Sequence, residues 1–117
     1  EIYEQPTAVK TTITPRITEG MPDFGECGLT DEKLAAYRKI FIVACGTAMH
    51  AGMVGKYVIE KLARTEVTVD IASEFRYRDP LVSDDDLVIL ISQYRITYIV
   101  IMRNLHLIKK HDVFKLR

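Results

Sequence analysis

The sequence predicts an α/β domain built on a short parallel sheet, and three observations carry that expectation. Apolar, β-branched runs recur at "KIFIVAC" (39–45), "EVTVDIA" (66–72) and "LVILIS" (87–92). A segment of helical period separates the first two. A polar connection long enough to cross a sheet separates the second from the third. Strand, helix, strand, connection, strand is the succession of βαβ units, which pair their strands in parallel.

Each element follows from its residues. Residues 1–17 favour helix: Pro6 fits a first turn, where its missing N–H is harmless, and Pro15 discourages continuation past Ile13. "EGMPDFGECG" (19–28), with three glycines and a proline, is expected to be loop. Thr30 is placed to cap a short helix to about Tyr37, with Asp31 and Glu32 in its first turn. The unbroken run 39–45 suits a strand covered on both faces. From Met49 to Ala63, Ala51, Val54, Gly55, Val58 and Leu62 form one stripe at helical spacing, expected to face the sheet. In the second strand Val67, Val69 and Ile71 should point inward and Thr68 and Asp70 outward. "SEFRYRDPLVSDDD" is a polar connection with short helix at its start, and Asp84-Asp85-Asp86 reads as a solvated turn.

Composition narrows the function classes. The chain has 117 residues, room for one ordinary domain. It is 48% hydrophobic, and sixteen basic residues balance sixteen acidic ones. No domain-wide basic field draws it to nucleic acid or to an anionic membrane, and "HLIKKHDVFKLR" reads as a solvated tail. No apolar run reaches the roughly 18–20 residues of a membrane span, and the charged start "EIYEQPTAVK" is unlike a signal peptide. Cys27 and Cys45, in unlike contexts, do not make a disulfide framework, so a reducing cytoplasm is expected. His50, His106 and His111 with the two cysteines show no metal-ligand spacing. G-x-G-x-x-G and G-x-x-x-x-G-K-[ST] are both absent, and no cofactor is expected.

Parallel sheets hold ligands beyond the carboxyl ends of their strands. Two such ends are visible, "ACGTAMHAG" and "ISQYR". At Cys45-Gly46-Thr47-Ala48 the chain turns from strand to helix within about four residues. Gly46 permits a tight turn or close backbone approach, and the first N–H groups of the helix favour an anion. Thr47 can cap that helix or bond a phosphate oxygen. The alternative is that Gly46 and Thr47 only make the turn.

"EIYEQPTAVKTTI", "ACGTAMHAGMV" and above all "IASEFRYR" resemble the isomerase part of the glutamine–fructose-6-phosphate aminotransferases, also called glucosamine-6-phosphate synthases, in order and spacing. The resemblance runs from Glu1 through Gln93. It implies a three-layer αβα, flavodoxin-like sugar isomerase (SIS) fold, here a partial domain with a short parallel sheet. It further implies a phosphosugar partner, fructose-6-phosphate or glucosamine-6-phosphate, held by hydroxyls and backbone N–H groups at two strand ends. In the family these read "CGTS" and "SQSGET". Carried over by position, Cys45, Gly46, Thr47, Ser92, Gln93 and Thr97 match, and these are the candidate binding residues. Ala48 replaces a serine, Tyr94-Arg95 replaces Ser-Gly, and Ile96 replaces a glutamate. Loss of that glycine removes the one residue whose backbone approaches a phosphate without a Cβ. Arg95 could in principle compensate by pairing with phosphate.

The resemblance also implies that proton-transfer Glu and His and a Schiff-base Lys lie further along the family's chain than these residues reach, so no catalytic residue is assigned. Past Thr97 the similarity stops, suggesting a shifted reading frame or a truncated gene. On this reading 1–93 is the N-terminal part of an SIS domain, and 94–117 is a divergent segment in which "TYIVIM" suits a strand and Tyr98, Ile101, Met102 and Leu105 a helical stripe. An unpaired sheet edge and the apolar residues of 96–108 lead to the expectation of a homodimer, with that segment paired or exchanged. The other reading is a stand-alone SIS module that senses a sugar phosphate. Glu74, Arg76, Tyr77 and Arg78 are expected to be an ion-pair and packing element near the site or at a subunit contact.

Overall fold

The computed structural model describes residues 2–92 and the backbone of Val113–Leu116. Its residues fall into two units, 1–35 and 36–117. In the first, a 3₁₀ turn (Ile2–Glu4) leads into helix α1 (Gln5–Ile13), with Pro6 in its first turn. Pro15 ends the α-helix as expected, and the chain continues as one 3₁₀ turn, Thr14–Arg16. The predicted loop holds more structure than its composition suggested. Strands β1 (Ile17–Thr18) and β2 (Met21–Pro22) pair antiparallel around Glu19-Gly20, both at positive φ (53° and 81°), the signature of a tight hairpin turn. Asp23 fastens the exit, accepting from the Thr18 hydroxyl at 3.1 Å and the Gly25 N–H at 2.8 Å. Helix α2 (Asp31–Ala36) starts where expected, and the Thr30 hydroxyl accepts from the Lys33 N–H at 3.3 Å.

The second unit is the sheet. Strands β3 (Lys39–Ala44), β4 (Glu66–Ile71), β5 (Asp86–Ile91) and β6 (Val113–Leu116) lie in the order β4-β3-β5-β6. All neighbours are parallel, with Ala44 level with both Ile71 and Ile91. Helix α3 (Thr47–Ala63) and the short helix α4 (Ala72–Tyr77) cover opposite faces. On α4's face Phe41, Val43, Ala72, Phe75, Val88 and Leu90 form the buried core, with the Phe41 and Phe75 ring centroids 6.1 Å apart. Ile42, on the other parity of β3, meets α3 at Gly52. Helices on both faces give the three-layer αβα arrangement.

Two facing assignments differ from the sequence reading. On α3 only Gly55 of the expected stripe faces the sheet; the rest points away, Val54, Val58 and Leu62 being 64%, 48% and 76% exposed and Ala51 also exposed. The contact face is buried Gly52 with half-buried Gly55, Lys56, Ile59 and Glu60. Close approach selects the residue without a Cβ, and two charged side chains lie along that face because their heads find backbone partners. Lys56 Nζ donates to the Val67 carbonyl at 2.8 Å, and the Val67 N–H donates to Glu60 at 3.1 Å. In β4 Val67 is buried as expected, but Asp70 is buried and Ile71 is 40% exposed. Asp70 can turn inward because its carboxylate is paired with Arg78 and accepts from the Ile71 N–H at 2.8 Å. Asp86, the last of the acidic triplet, is likewise buried, accepting from the Ser83 N–H at 2.7 Å, so the triplet is not wholly a solvated turn.

Candidate functional site

The candidate residues lie where the sheet's topology reverses. From β3 the chain crosses through α3 to β4 on one side, then returns past β3 to β5 on the other. In such sheets the crevice between the two strands flanking the reversal is open at its carboxyl end. Here those strands are β3 and β5, and the register Ala44↔Ile91 brings Cys45-Gly46-Thr47 level with Ser92. Adjacent strands lie about 4.8 Å apart, so the two tips form neighbouring walls of one crevice.

Local geometry at the first tip follows from Gly46. Its φ of 59° and ψ of −137° occupy a region reserved almost wholly for glycine, and this turns the backbone into α3 in a single residue. Among the described residues, a Cβ at Gly46 would meet nothing within 4 Å. The first helical hydrogen bond runs from the Met49 N–H to the Gly46 carbonyl at 3.1 Å. The N–H groups of Thr47 and Ala48 therefore precede the helical ladder and have no carbonyl of α3 to bond. With the helix dipole behind them they favour an anion.

Thr47 does not cap the helix as the sequence suggested. Gly46 occupies the N-cap position without a side chain, and Thr47 is the first helical residue. Cys45, Gly46 and Thr47 are exposed and Ser92 is half-buried. Cys45 and Cys27 are both free thiols. Gln93 and Thr97, with Tyr94, Arg95 and Ile96, lie outside the described residues, as do both readings of the segment from Thr97.

The "SEFRYR" stretch carries the ion pair that the sequence implied, but its partner was not foreseen: Arg78 pairs with Asp70, on the strand that leads into α4. The Arg76 guanidinium lies 4.8 Å from the Tyr77 ring centroid, and Tyr77 is 75% exposed. Elsewhere, a concavity of about 380 Å³ in the N-terminal unit is lined by Thr18, Met21, Asp23, Phe24, Leu29 and Thr30 among others, and none of the candidate residues lines it. Among the described residues no group of three His, Cys, Asp or Glu is arranged to hold a metal, and no helix is long and apolar enough to cross a membrane.

The model of the SIS domain family matches residues 33–113, from α2 through the start of β6. The chain belongs to the SIS domain family. Among curated proteins, the isomerizing glutamine–fructose-6-phosphate aminotransferases of Clostridium acetobutylicum and Clostridium tetani are 57% and 54% identical to it over 94 residues. Each alignment covers 80% of this chain and 16% of the relative, so the chain spans about one-sixth of the length of these relatives. Among solved structures, the C-terminal domain of glucosamine-fructose-6-phosphate aminotransferase from Francisella tularensis aligns with a TM-score of 0.75 and 39% identity, covering 96% of this chain and 30% of that one. The αβα fold expected from the sequence is thus the SIS fold.

Proposed function

We propose that this SIS fragment carries one half of a phosphosugar site, in which the turn Cys45-Gly46-Thr47 and the β5 tip at Ser92 receive the phosphate of fructose-6-phosphate or glucosamine-6-phosphate. One observation carries the reading: at the topological reversal of the sheet, a glycine-only turn with two N–H groups outside the helical ladder stands level with Ser92. Both features suit a ligand with a phosphate end, which accepts from backbone N–H groups and hydroxyls alike. The relatives' names supply the sugar. In this reading Gln93 and Thr97 complete the second wall, and Ala48 contributes its N–H where the family's serine would add a hydroxyl. Binding, rather than turnover, is the property assigned to these 117 residues.

The same reading places the chain in the cytoplasm as a homodimer. Self-association is supported by the exposed apolar side chains Val54, Val58 and Leu62 of α3.

Calorimetric titration with each hexose phosphate tests the site. Binding weaker than micromolar is expected, lost on high phosphate and weakened in Thr47→Val. Binding that survives Thr47→Val together with Ser92→Ala unchanged would place the ligand elsewhere. Sedimentation as a monomer at high concentration would remove the dimer.

A further inference from the structure

Helix α3 is held to the sheet at two places of different kinds. Near its middle, Lys56 and Glu60 grip the backbone of Val67 in the edge strand β4, with Lys56 Nζ 3.4 Å from Glu60. One turn nearer the site, Gly52 lies on Ile42. A Cβ built there would sit 2.8 Å from Ile42 Cγ2 and 3.6 Å from Val69 Cγ1. The neighbouring glycine differs, because a Cβ at Gly55 would meet Ile42 Cδ1 at 3.6 Å, an ordinary contact.

From this geometry we infer that Gly52 is the positioning residue of the strand-tip site: its missing side chain sets the height of α3 over β3, and so the place of the Gly46–Thr47 turn. The inference rests on the reading of that turn as a phosphate loop.

The contact cannot be relieved at the sheet. Ile42 is 3% exposed, and its Cγ2 branches from the Cβ of a β-branched residue on a central strand, so it has no room to rotate. The helix must move instead. Bringing 2.8 Å to the 3.4 Å where ordinary contact begins needs about 0.6 Å. With the helix pinned at Lys56 and Glu60, the displaced part is the N-terminal turn. At about 1.5 Å rise per residue, Gly52 lies roughly 9 Å and Thr47 roughly 16 Å from the middle of the clamp, so 0.6 Å at Gly52 becomes about 1 Å at Thr47. A misplacement of that size matters to any ligand that reads N–H geometry.

The test uses the full chain and glucosamine-6-phosphate, comparing Gly52→Ala, Gly55→Ala and the double variant Gly52→Ala with Ile42→Ala. Affinity is read by calorimetry, and the amide resonances of Gly46, Thr47 and Ala48 are read without ligand. Gly52→Ala is expected to lose about tenfold in affinity and to shift those three amides, while Gly55→Ala changes neither. The double variant removes the methyl that the new Cβ strikes. It regains affinity and the original amide positions although it is less stable than the wild type and Gly52→Ala, an ordering that a purely structural role would reverse. Undisturbed amides at 46–48 in Gly52→Ala with wild-type affinity overturn the inference, and so does a double variant that restores nothing, including the case where Gly52→Ala alone does not fold. If the wild-type chain takes up no hexose phosphate, the proposed function falls, and the positioning role stands or falls on the ligand-free amide shifts.

Discussion

Removing the grip of α3 on the edge strand should cost measurable stability, and its size can be worked from the contacts. Val67 has both backbone polar groups bonded to α3, its C=O to Lys56 at 2.8 Å and its N–H to Glu60 at 3.1 Å. Hydrogen bonds to charged groups contribute about 1.5–3 kcal/mol each when water is excluded. Here the Lys56 and Glu60 side chains are 37% and 35% exposed, so water can replace part of what is lost. Lys56→Met and Glu60→Leu are each expected to cost about 1 kcal/mol in urea denaturation of the full chain. The two share the Val67 peptide and each other, so a double-mutant cycle should return a coupling of about 0.5–1 kcal/mol. The double variant also bares the outer backbone of β4, and its solutions should aggregate more readily, as uncapped edge strands do. A coupling indistinguishable from zero, with unchanged solubility, would refute the assignment of this pair as an edge clamp.

Other consequences are simpler. Among the described residues Gly46→Ala meets no steric neighbour, and the backbone strain of a φ of 59° with a ψ of −137° should cost about 1–3 kcal/mol by denaturation. Arg64 ends α3 in the left-handed conformation (φ 56°, ψ 26°), and Arg64→Gly should raise stability by about 0.5–1 kcal/mol, seen as a higher denaturation midpoint at constant slope. The Glu32 carboxyl is held below its ordinary value by its own backbone N–H and then by the Thr30 hydroxyl. A lowered carboxyl stabilises above its unfolded pKa and loses that contribution as pH falls through the folded one. Glu32→Gln should therefore flatten the acid limb of the stability–pH curve by lowering stability at neutral pH, with little change at pH below the folded pKa, as read by urea denaturation across the pH range.

The central strands β3 and β5 were legible because their cause is local: "KIFIVA" and "LVILI" are apolar, β-branched and too short for buried helices, whereas β6 (Val113–Leu116) lies in the stretch read as a solvated tail. The facing of α3 was not, because hydrophobicity ranks Val54, Val58 and Leu62 above Gly52, Lys56 and Glu60. What decides that face is contact distance at Ile42 and two long-range backbone partners at Val67, neither of which periodicity encodes. Asp70 misled for a related reason, since its inward turn depends on Arg78 eight residues on. At the site, the special backbone of Gly46 could be read from a strand meeting a helix with a glycine between. The displacement of the cap from Thr47 to Gly46 could not, because it rests on a single ψ angle. That the two tips stand level is a property of strand order and register, which the βαβ succession left open and the structure supplies.

Amide-resolved titration of the full chain with glucosamine-6-phosphate tests the central claim most directly. The account predicts saturable shifts concentrated at Gly46, Thr47, Ala48 and Ser92, matched by inorganic phosphate at higher concentration and absent with glucosamine. Shifts spread over α1 and the β1–β2 hairpin while those four amides stay fixed would contradict it.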